Sequence, residues 1–230
     1  ELVSIIGESG SGKSTLMNII GGLDSKFEGE VLVDGKNIGS FTEKELDIYR
    51  KNKIGFIFQS FNLVPHLTIL DNVALALTLS NVKRSEQIER AKEMLEKVGL
   101  KDHIHKKPNQ LSGGQKQLLN LASVMTMQPE VLILDEPTSA LDPIAAADFL
   151  NSLWRINSEL GTTVIIAEHR TENIFEKADR TVFMDKGEIV AIGETREILK
   201  NIKNEFEYFL PAPTRVSRKL RGEKCLLTVK

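Results

Sequence analysis

Gly7-Glu-Ser-Gly-Ser-Gly-Lys13-Ser14 follows directly on the apolar run Leu2-Val-Ser-Ile-Ile6 and precedes the apolar stretch Leu16-Met-Asn-Ile-Ile20. This order of strand, glycine-rich turn and helix is the phosphate-loop pattern G-x-x-x-x-G-K-S. Its glycines let backbone N–H groups converge on phosphate oxygens, and the following helix points its positive dipole end at them. A simple glycine- and serine-rich turn is the alternative, but the complete motif after an apolar strand favours nucleotide binding.

The loop supplies two further groups besides its backbone. Lys13 provides a mobile cation for the phosphates, and Ser14 is placed to ligate magnesium through its hydroxyl. The predicted nucleotide-binding residues are Gly7, Glu8, Ser9, Gly10, Ser11, Gly12, Lys13, Ser14 and Thr15.

Two adjacent carboxylates end a second apolar run, Val131-Leu-Ile-Leu-Asp135-Glu136. In open α/β sheets, ligands bind beyond the carboxyl ends of the strands. Asp135 is therefore a candidate to hold magnesium, directly or through water, and Glu136 to polarise the attacking water as general base. Two acids at a strand end are often only the start of a turn, but the phosphate loop in the same chain favours catalysis.

A second candidate phosphate site is Leu111-Ser-Gly-Gly-Gln115, which opens a predicted helix that continues to Val124. Small residues allow close approach of backbone N–H groups to an anion, and a helix start favours negative charge. Because the first loop already accounts for the triphosphate, we expect these residues to bind the phosphate held by another subunit. They are Ser112, Gly113, Gly114 and Gln115. The alternative is that Ser112 only caps the helix.

The rest of the chain alternates strands and helices. Short, nearly continuous apolar runs rich in β-branched residues are typical of parallel strands buried on both faces. Such runs lie at Leu2–Ile6, Val131–Asp135 and Thr163–Ala167. Further strands are predicted at Glu30–Asp34 before Gly35, at Ile54–Phe58, and at Thr181–Met184 and Glu188–Ile192 around the turn Asp185-Lys-Gly187. The pattern predicts an α/β fold: a P-loop NTPase core with a mainly parallel sheet.

From Thr68 to Gly99 the pattern is helical and predicts a small, all-helical second lobe. Ser85 is the candidate cap of its best-defined helix and Gly99 the stop. One apolar stripe on that helix consists of Ile88, Ala91, Met94, Leu95 and Val98.

Composition limits the classes of function. The chain has 230 residues, 41% of them hydrophobic, enough for a sizeable core. Its net charge of −2 gives no support to nonspecific binding of nucleic acid or anionic membranes. The single cysteine, Cys225, favours a reducing compartment. The sequence has no apolar run of the roughly 18 to 20 residues that a membrane helix needs, so any membrane role is expected to be peripheral.

The three motifs in this order resemble the ATP-binding cassette family, the ATPase subunits of membrane transporters. The resemblance covers essentially the whole chain. It implies an enzyme that uses ATP and Mg²⁺, dimerises head to tail with a second cassette domain, as a homodimer or in a tandem or heterodimer, and drives a separate transmembrane permease. It places the chain at the cytoplasmic face of the membrane, with no nucleic-acid partner.

The same resemblance implies roles for single residues. Gln59 is similar to the glutamine-loop residue that contacts magnesium and the attacking water, and His169 to the switch histidine at the γ-phosphate. Ser139-Ala-Leu-Asp142 resembles the loop that crosses the dimer interface, although Asp142 could instead be only a helix cap before Pro143. Three histidines have no comparable placement and are expected to be solvated: His66, His103 and His105.

Two departures from the family pattern stand out. The family's adenine-stacking aromatic residue lies on a strand before the first residue of this sequence. The helix after Gln115 begins Lys116-Gln-Leu-Leu, without the arginine that many relatives place there.

The subfamily resemblance is split. Residues 1–115 resemble the ATPases of macrolide and lipoprotein exporters, and residues 116–230 resemble energy-coupling-factor uptake ATPases. A chimera joined at the shared motif is one hypothesis. A single uninterrupted read of the source gene with one nearest subfamily would refute it.

The ends of the sequence predict an internal segment of a longer protein. Residues 1–205 are interpreted as an ATPase domain without its amino-terminal strands, with the helical subdomain at about 66–128, and residues 206–230 as a linker toward a second cassette. Two alternatives from other classes are a soluble cassette protein of translation control or DNA repair and a nonfunctional fragment. DNA-repair relatives carry long coiled coils, and this sequence has no sustained heptad insert.

Overall fold

The computed structural model describes residues 1–80, 82–168 and 172–201. Within these residues the strands are β1 Leu2–Gly7, β2 Leu32–Val33, β3 Lys36–Asn37, β4 Ile54–Ile57, β5 Val131–Asp135, β6 Thr163–Ala167, β7 Arg180–Asp185 and β8 Glu188–Glu194. The α-helices are α1 Lys13–Ile20, α2 Glu43–Lys53, α3 Ile69–Ala76, α4 Arg84–Lys97, α5 Gly113–Met125, α6 Pro143–Leu160, α7 Glu172–Phe175 and α8 Thr195–Asn201. None of these helices has both the length and the apolarity that a membrane span requires.

The chain folds as two compact units. The first consists of residues 1–54 and the described residues from 164 onward, and the second of residues 55–163. The first unit contains the phosphate loop, and the second contains Gln59, the Leu111–Gln115 motif and both candidate catalytic carboxylates. The predicted helical subdomain at about 66–128 lies within the second unit, and the predicted linker at 206–230 lies outside the described residues.

The first unit is built on strands in the order β6, β1, β7 and β8. β1 pairs in parallel with both β6 and β7, and Ser4 lies opposite Ile166 on one side and Thr181 on the other. β8 returns antiparallel to β7. Ile6, Phe175, Phe183 and Ile198 form a buried cluster beside these strands. Burying each such side chain stabilises the fold by about 1.5 to 3 kcal/mol. β6 has the predicted bounds, and β1 is one residue longer than predicted, ending at Gly7.

Two hairpins turn at the positions that the sequence indicated. Asp34 and Gly35 join β2 to β3 with φ of 50° and 74°, and Lys186 and Gly187 join β7 to β8 with φ of 49° and 83°. Two successive positive φ angles are the type I′ geometry that fits strand twist. The predicted strand Glu30–Asp34 is nevertheless only Leu32–Val33, because it pairs with β3 alone in a two-stranded sheet and an isolated ribbon of this kind is marginal in water.

The second unit places β4 beside β5 and packs α5 against α3, α4 and α6. Side chains of α5 and β5 pack closely against β4. A Cβ atom on Gly55 would lie 2.5 Å from Cγ1 of Val124 in α5 and 3.1 Å from Cδ1 of Leu132 in β5. Val131–Asp135 is the strand that the sequence predicted, and its central residues are fully buried.

Helix α4 begins differently from the prediction. Ser85 is not its cap, because the helix starts at Arg84 after Lys83, which makes no side-chain capping bond. Tertiary contacts hold this end instead: Arg84 pairs with Asp71 at 2.6 Å, and Gln87 Nε2 donates to the Val82 carbonyl at 2.9 Å.

The other end of α4 is as predicted. Gly99 has a φ of 75°, its N–H donates to the Glu96 carbonyl at 3.0 Å, and the Leu100 N–H donates to the Leu95 carbonyl at 2.8 Å. These bonds form a Schellman motif. The predicted stripe is buried at Ala91, Met94, Leu95 and Val98 and half-buried at Ile88.

Candidate nucleotide-binding and hydrolysis site

The phosphate loop joins the end of β1 to the start of α1. Gly7 passes so close to β7 that a Cβ atom there would lie 2.2 Å from the Met184 carbonyl oxygen. Gly12, with a φ of 94°, caps α1 without any side-chain hydrogen bond, and the first turn carries no acidic residue. Among the described residues, no side chain thus caps the start of α1 at Gly12, and a helix start of this kind favours an anion.

The β7–β8 turn contacts the phosphate loop and supports its shape. The Gly187 N–H donates to the Ser11 carbonyl at 3.1 Å, and a Cβ atom on Gly12 would lie 3.6 Å from Cα of Gly187. The shape of the loop thus depends on a turn about 175 positions later in the chain.

Lys13 lies inside the loop. Its side chain is only 4% exposed, and Nζ donates to the carbonyls of Gly7 at 2.9 Å and Glu8 at 2.8 Å. Ser14 and Thr15, on the first turn of α1, are exposed. The arrangement keeps a cation beside the uncapped helix start and leaves two hydroxyls open to a ligand.

The two candidate carboxylates lie at the end of β5: Asp135 is its last residue and Glu136 follows it. Asp135 Oδ1 is buried and has no hydrogen-bond partner among the described residues. A buried acceptor without a partner is costly, and a bound divalent cation would satisfy it, so the residue fits magnesium. Glu136 has a φ of 48°, an uncommon conformation for a non-glycine residue. Its carbonyl accepts from Ser139 Oγ at 2.9 Å and from the Ser139 N–H at 3.2 Å.

The Leu111–Gln115 motif forms the start of α5, as predicted. Ser112 caps the helix, with its Oγ accepting from the Gln115 N–H at 3.2 Å while Gln115 Oε1 accepts from the Ser112 N–H at 3.1 Å. The capping alternative is therefore correct as far as it goes. It does not account for the two glycines, and these differ in their surroundings.

The difference concerns the space at Cβ. A Cβ atom on Gly114 would lie 2.8 Å from Cβ of Ala145 in the first turn of α6. One on Gly113 would have only Cδ2 of Leu141 nearby, at 3.7 Å, an ordinary contact. Gly114 is thus required by packing within the chain, whereas Gly113 is exposed and not constrained in this way.

We expect Gly114→Ala to destabilise the fold and Gly113→Ala to leave its stability unchanged or slightly raised. Overpacking a close contact costs about 1 to 3 kcal/mol, whereas alanine is favoured over glycine in a helix by about 1 kcal/mol. Thermal and urea unfolding of the two variants beside the wild type measure the difference. Equal loss of stability in both would contradict the packing role of Gly114.

His103 corrects one expectation. Its Nε2 lies 3.4 Å from Nε2 of Gln115, and its Nδ1 is buried without a hydrogen-bond partner among the described residues. The prediction that it is solvated is wrong, because the short helices Lys101–His103 and Pro108–Gln110 fold the chain back on the start of α5. His66 and His105 are exposed, as predicted.

The residues suggested by family resemblance are placed as follows. Gln59 is exposed just after β4, which ends one residue earlier than predicted. Asp142 does cap α6: its Oδ1 accepts from the N–H groups of Ile144 and Ala145, both at 3.0 Å. His169 lies outside the described residues.

Two contacts of α5 were missed by the sequence analysis. Lys116 Nζ lies 6.0 Å from the centroid of the Phe61 ring, within the range of a cation–π interaction. Gln117 is fully buried, and its Nε2 donates to the Pro137 carbonyl. The spacing of Gln117, Leu121 and Val124 on one helical face was the available signal for the second.

A glycine-rich phosphate loop after a buried strand, with carboxylates at the end of another buried strand, defines the P-loop class of nucleotide-hydrolysing proteins. The chain belongs to the ABC transporter family, whose profile matches residues 1–139. It is an ATP-binding, ATP-hydrolysing member of that family.

The curated relatives of the chain include both import and export proteins. The chain is 41% identical over 231 residues to the methionine import ATP-binding protein MetN of Clostridioides difficile (strain 630), covering 100% of this chain and 68% of that protein. It is 41% identical over 204 residues to the macrolide export ATP-binding/permease protein MacB of Aggregatibacter actinomycetemcomitans, covering 89% of this chain and 31% of that protein. In two other relatives the chain spans 52% and 64% of the full length.

Solved structures give the same fold. The dimeric ATP-binding cassette MJ0796 in a post-hydrolysis state with ADP and Pi matches with a TM-score of 0.76 and 39% identity, over 85% of this chain and 86% of that one. CbiO1 of Clostridium perfringens, part of the transporter complex cbiONQ, matches with a TM-score of 0.79 and 31% identity, over 86% and 78%. The predicted family, α/β P-loop fold and ATPase class are confirmed.

Proposed function

We propose that this chain binds ATP with Mg²⁺, closes head to tail on a second cassette domain, and thereby drives solute movement through a separate membrane permease from the cytoplasmic face. The observation that supports this most directly is the start of α5. Ser112 and Gly113 are exposed there at the N-terminus of a 13-residue helix, although the phosphate loop already supplies one anion-binding helix start. A second cassette's nucleotide is the occupant that this extra start fits.

The proposed roles follow the chemistry of each group. The backbone of the phosphate loop and Lys13 hold the triphosphate, Glu136 polarises the attacking water, and His169 contacts the γ-phosphate. Magnesium, when bound, neutralises charge on the β- and γ-phosphates. Its proposed ligands are Ser14, Gln59 and Asp135, and the unpartnered Oδ1 of Asp135 supports that assignment. The proposed contacts to the partner's nucleotide are Ser112, Gly113, Gly114 and Gln115.

An exporter-type permease is our first proposal for the membrane partner. In this family the segment from the glutamine loop to Gln115 recognises the permease. In this chain that segment resembles exporter ATPases in sequence. Import is the second, since the relatives include a methionine import protein as well as a macrolide export protein. Reconstitution with each permease class would discriminate, because only the cognate permease stimulates hydrolysis.

We expect the rate of magnesium-dependent ATP hydrolysis per subunit to rise with protein concentration, since each site needs two chains. A mixing experiment sharpens the test. Lys13→Ala removes the lysine of the phosphate loop, and Gly113→Asp places a negative charge beside the partner's phosphate. Each variant alone is therefore expected to be inactive.

Mixed together, the two variants form some dimers in which one intact loop faces one intact α5 start. Hydrolysis that neither variant shows alone is the expected result. Each variant mixed with itself at the same total concentration is the control. A mixture that stays inactive, or a wild-type rate per subunit independent of concentration, would contradict the composite site.

A further inference from the structure

A buried glutamine joins helix α5 to the segment that carries Glu136. Gln117 is completely buried, with 0% of its surface exposed, and its Nε2 donates to the carbonyl of Pro137 at 2.7 Å. A proline carbonyl can only accept, which fixes the amide nitrogen as the atom that faces it. Gln117 follows Gln115 by two positions and Pro137 directly follows Glu136. One short hydrogen bond therefore connects the two functional segments within the same compact unit.

The segment that receives this bond is in an unfavourable backbone conformation. The φ of 48° at Glu136 lies in the left-handed region, which costs a non-glycine residue free energy and persists where the surroundings hold it. Ser139 holds the Glu136 carbonyl from the exposed side. Gln117 holds the next carbonyl along the chain from the buried side, where water cannot replace it.

A second contact limits independent movement of the two segments. Gly114 lies so close to Ala145 that a Cβ atom on Gly114 would be 2.8 Å from Cβ of Ala145. Ala145 lies in the helical turn that Asp142 caps. Helix α5 thus contacts the chain that follows β5 at two places: its first turn packs against Ala145 in α6, and Gln117 in its second turn bonds the Pro137 carbonyl.

We infer that Gln117 is a positioning residue that makes the placement of Glu136 depend on the placement of the α5 start. This inference rests on the proposed function, in which that start binds the phosphate of the partner's nucleotide. A chain whose α5 start is occupied then has its own general base correctly aimed, so each nucleotide influences hydrolysis of the other. Gln117 acts through Pro137 and touches neither nucleotide.

The test variant is Gln117→Met, which keeps the length and bulk of the side chain but removes the donor. We expect kcat to fall on the order of 10- to 100-fold, as for small misplacements of a catalytic group, with KM for ATP within about twofold of the wild type. Ser123→Ala is the matched control, because Ser123 also lies in α5 but its Oγ donates to the Leu119 carbonyl of the same helix. Its kcat is expected to be unchanged.

A second readout does not depend on turnover. Loss of the Gln117 bond should speed amide hydrogen exchange at residues 138–141 in Gln117→Met and leave exchange in Ser123→Ala as in the wild type. If Gln117→Met does not fold, Gln117→Asn, which retains the amide but is one methylene shorter, takes its place.

The outcomes separate the two claims. Unchanged kcat and unchanged exchange at residues 138–141 in a folded Gln117 variant would overturn the positioning role, as would an equal loss in Ser123→Ala. If the wild type shows no hydrolysis that depends on Glu136, the proposed function fails, and the exchange result alone decides whether Gln117 holds the segment. Faster exchange together with a selective fall in kcat is the expected result.

Discussion

Glu136→Gln should retain ATP binding and lose turnover, with kcat reduced by a factor of about 10² to 10⁴, the usual contribution of a general base. The amide has nearly the same shape as the carboxylate, so the left-handed backbone and its bonds from Ser139 are expected to persist. Because the substrate is bound but not consumed, the variant should accumulate as a closed dimer in ATP and Mg²⁺.

Steady-state hydrolysis and size-exclusion chromatography with and without ATP measure both effects. Asp148→Asn is the matched control, since it removes an exposed carboxylate of the same compact unit that has no proposed role. Hydrolysis at the normal rate by Glu136→Gln would remove Glu136 from its proposed role. Loss of ATP binding in that variant would indicate a structural role instead.

Lys13→Ala is expected to have the second largest effect, on affinity for the triphosphate. Hydrogen bonds to charged groups contribute about 1.5 to 3 kcal/mol each, which corresponds to a roughly 10- to 150-fold weaker Kd for ATP. Lys13 is nearly buried and bonds the carbonyls of Gly7 and Glu8. Its removal should therefore also loosen the empty loop.

Titration with a fluorescent ATP analogue measures the affinity, and thermal unfolding without nucleotide measures the effect on the loop. Lys26→Ala, which removes an exposed lysine of the same unit, controls for the change in net charge. Unchanged affinity in Lys13→Ala would argue against the assignment of the phosphate loop.

The sequence was most informative where one local signal determines one local structure. β5 and β6 have the predicted bounds because short apolar runs rich in β-branched residues fit strands that are buried on both faces. Gly99 ends α4 because a positive φ there costs glycine little. The start of α5 was predicted from a serine and two glycines, since capping is a local interaction.

Tertiary contacts decided what the sequence could not. Arg84–Asp71 pairing replaced Ser85 as the anchor of α4, and the short helices after Gly99 brought His103 to Gln115. The sequence assigned no role to Gln117, because only the fold brings its side chain to the Pro137 carbonyl. The assigned catalytic and binding roles remain predictions, because they depend on a nucleotide and a second domain.

The support of the phosphate loop by the β7–β8 turn has a consequence for synthesis on the ribosome. Gly187 donates to Ser11, and Met184 passes against Gly7, so the phosphate loop gains these supports only after β7 and the β7–β8 turn have been synthesised. We expect nascent chains that stop before β7 to be unable to retain ATP, whatever the time of incubation. Vectorial synthesis is therefore expected to delay nucleotide capture by the phosphate loop until β7 and the β7–β8 turn have been made.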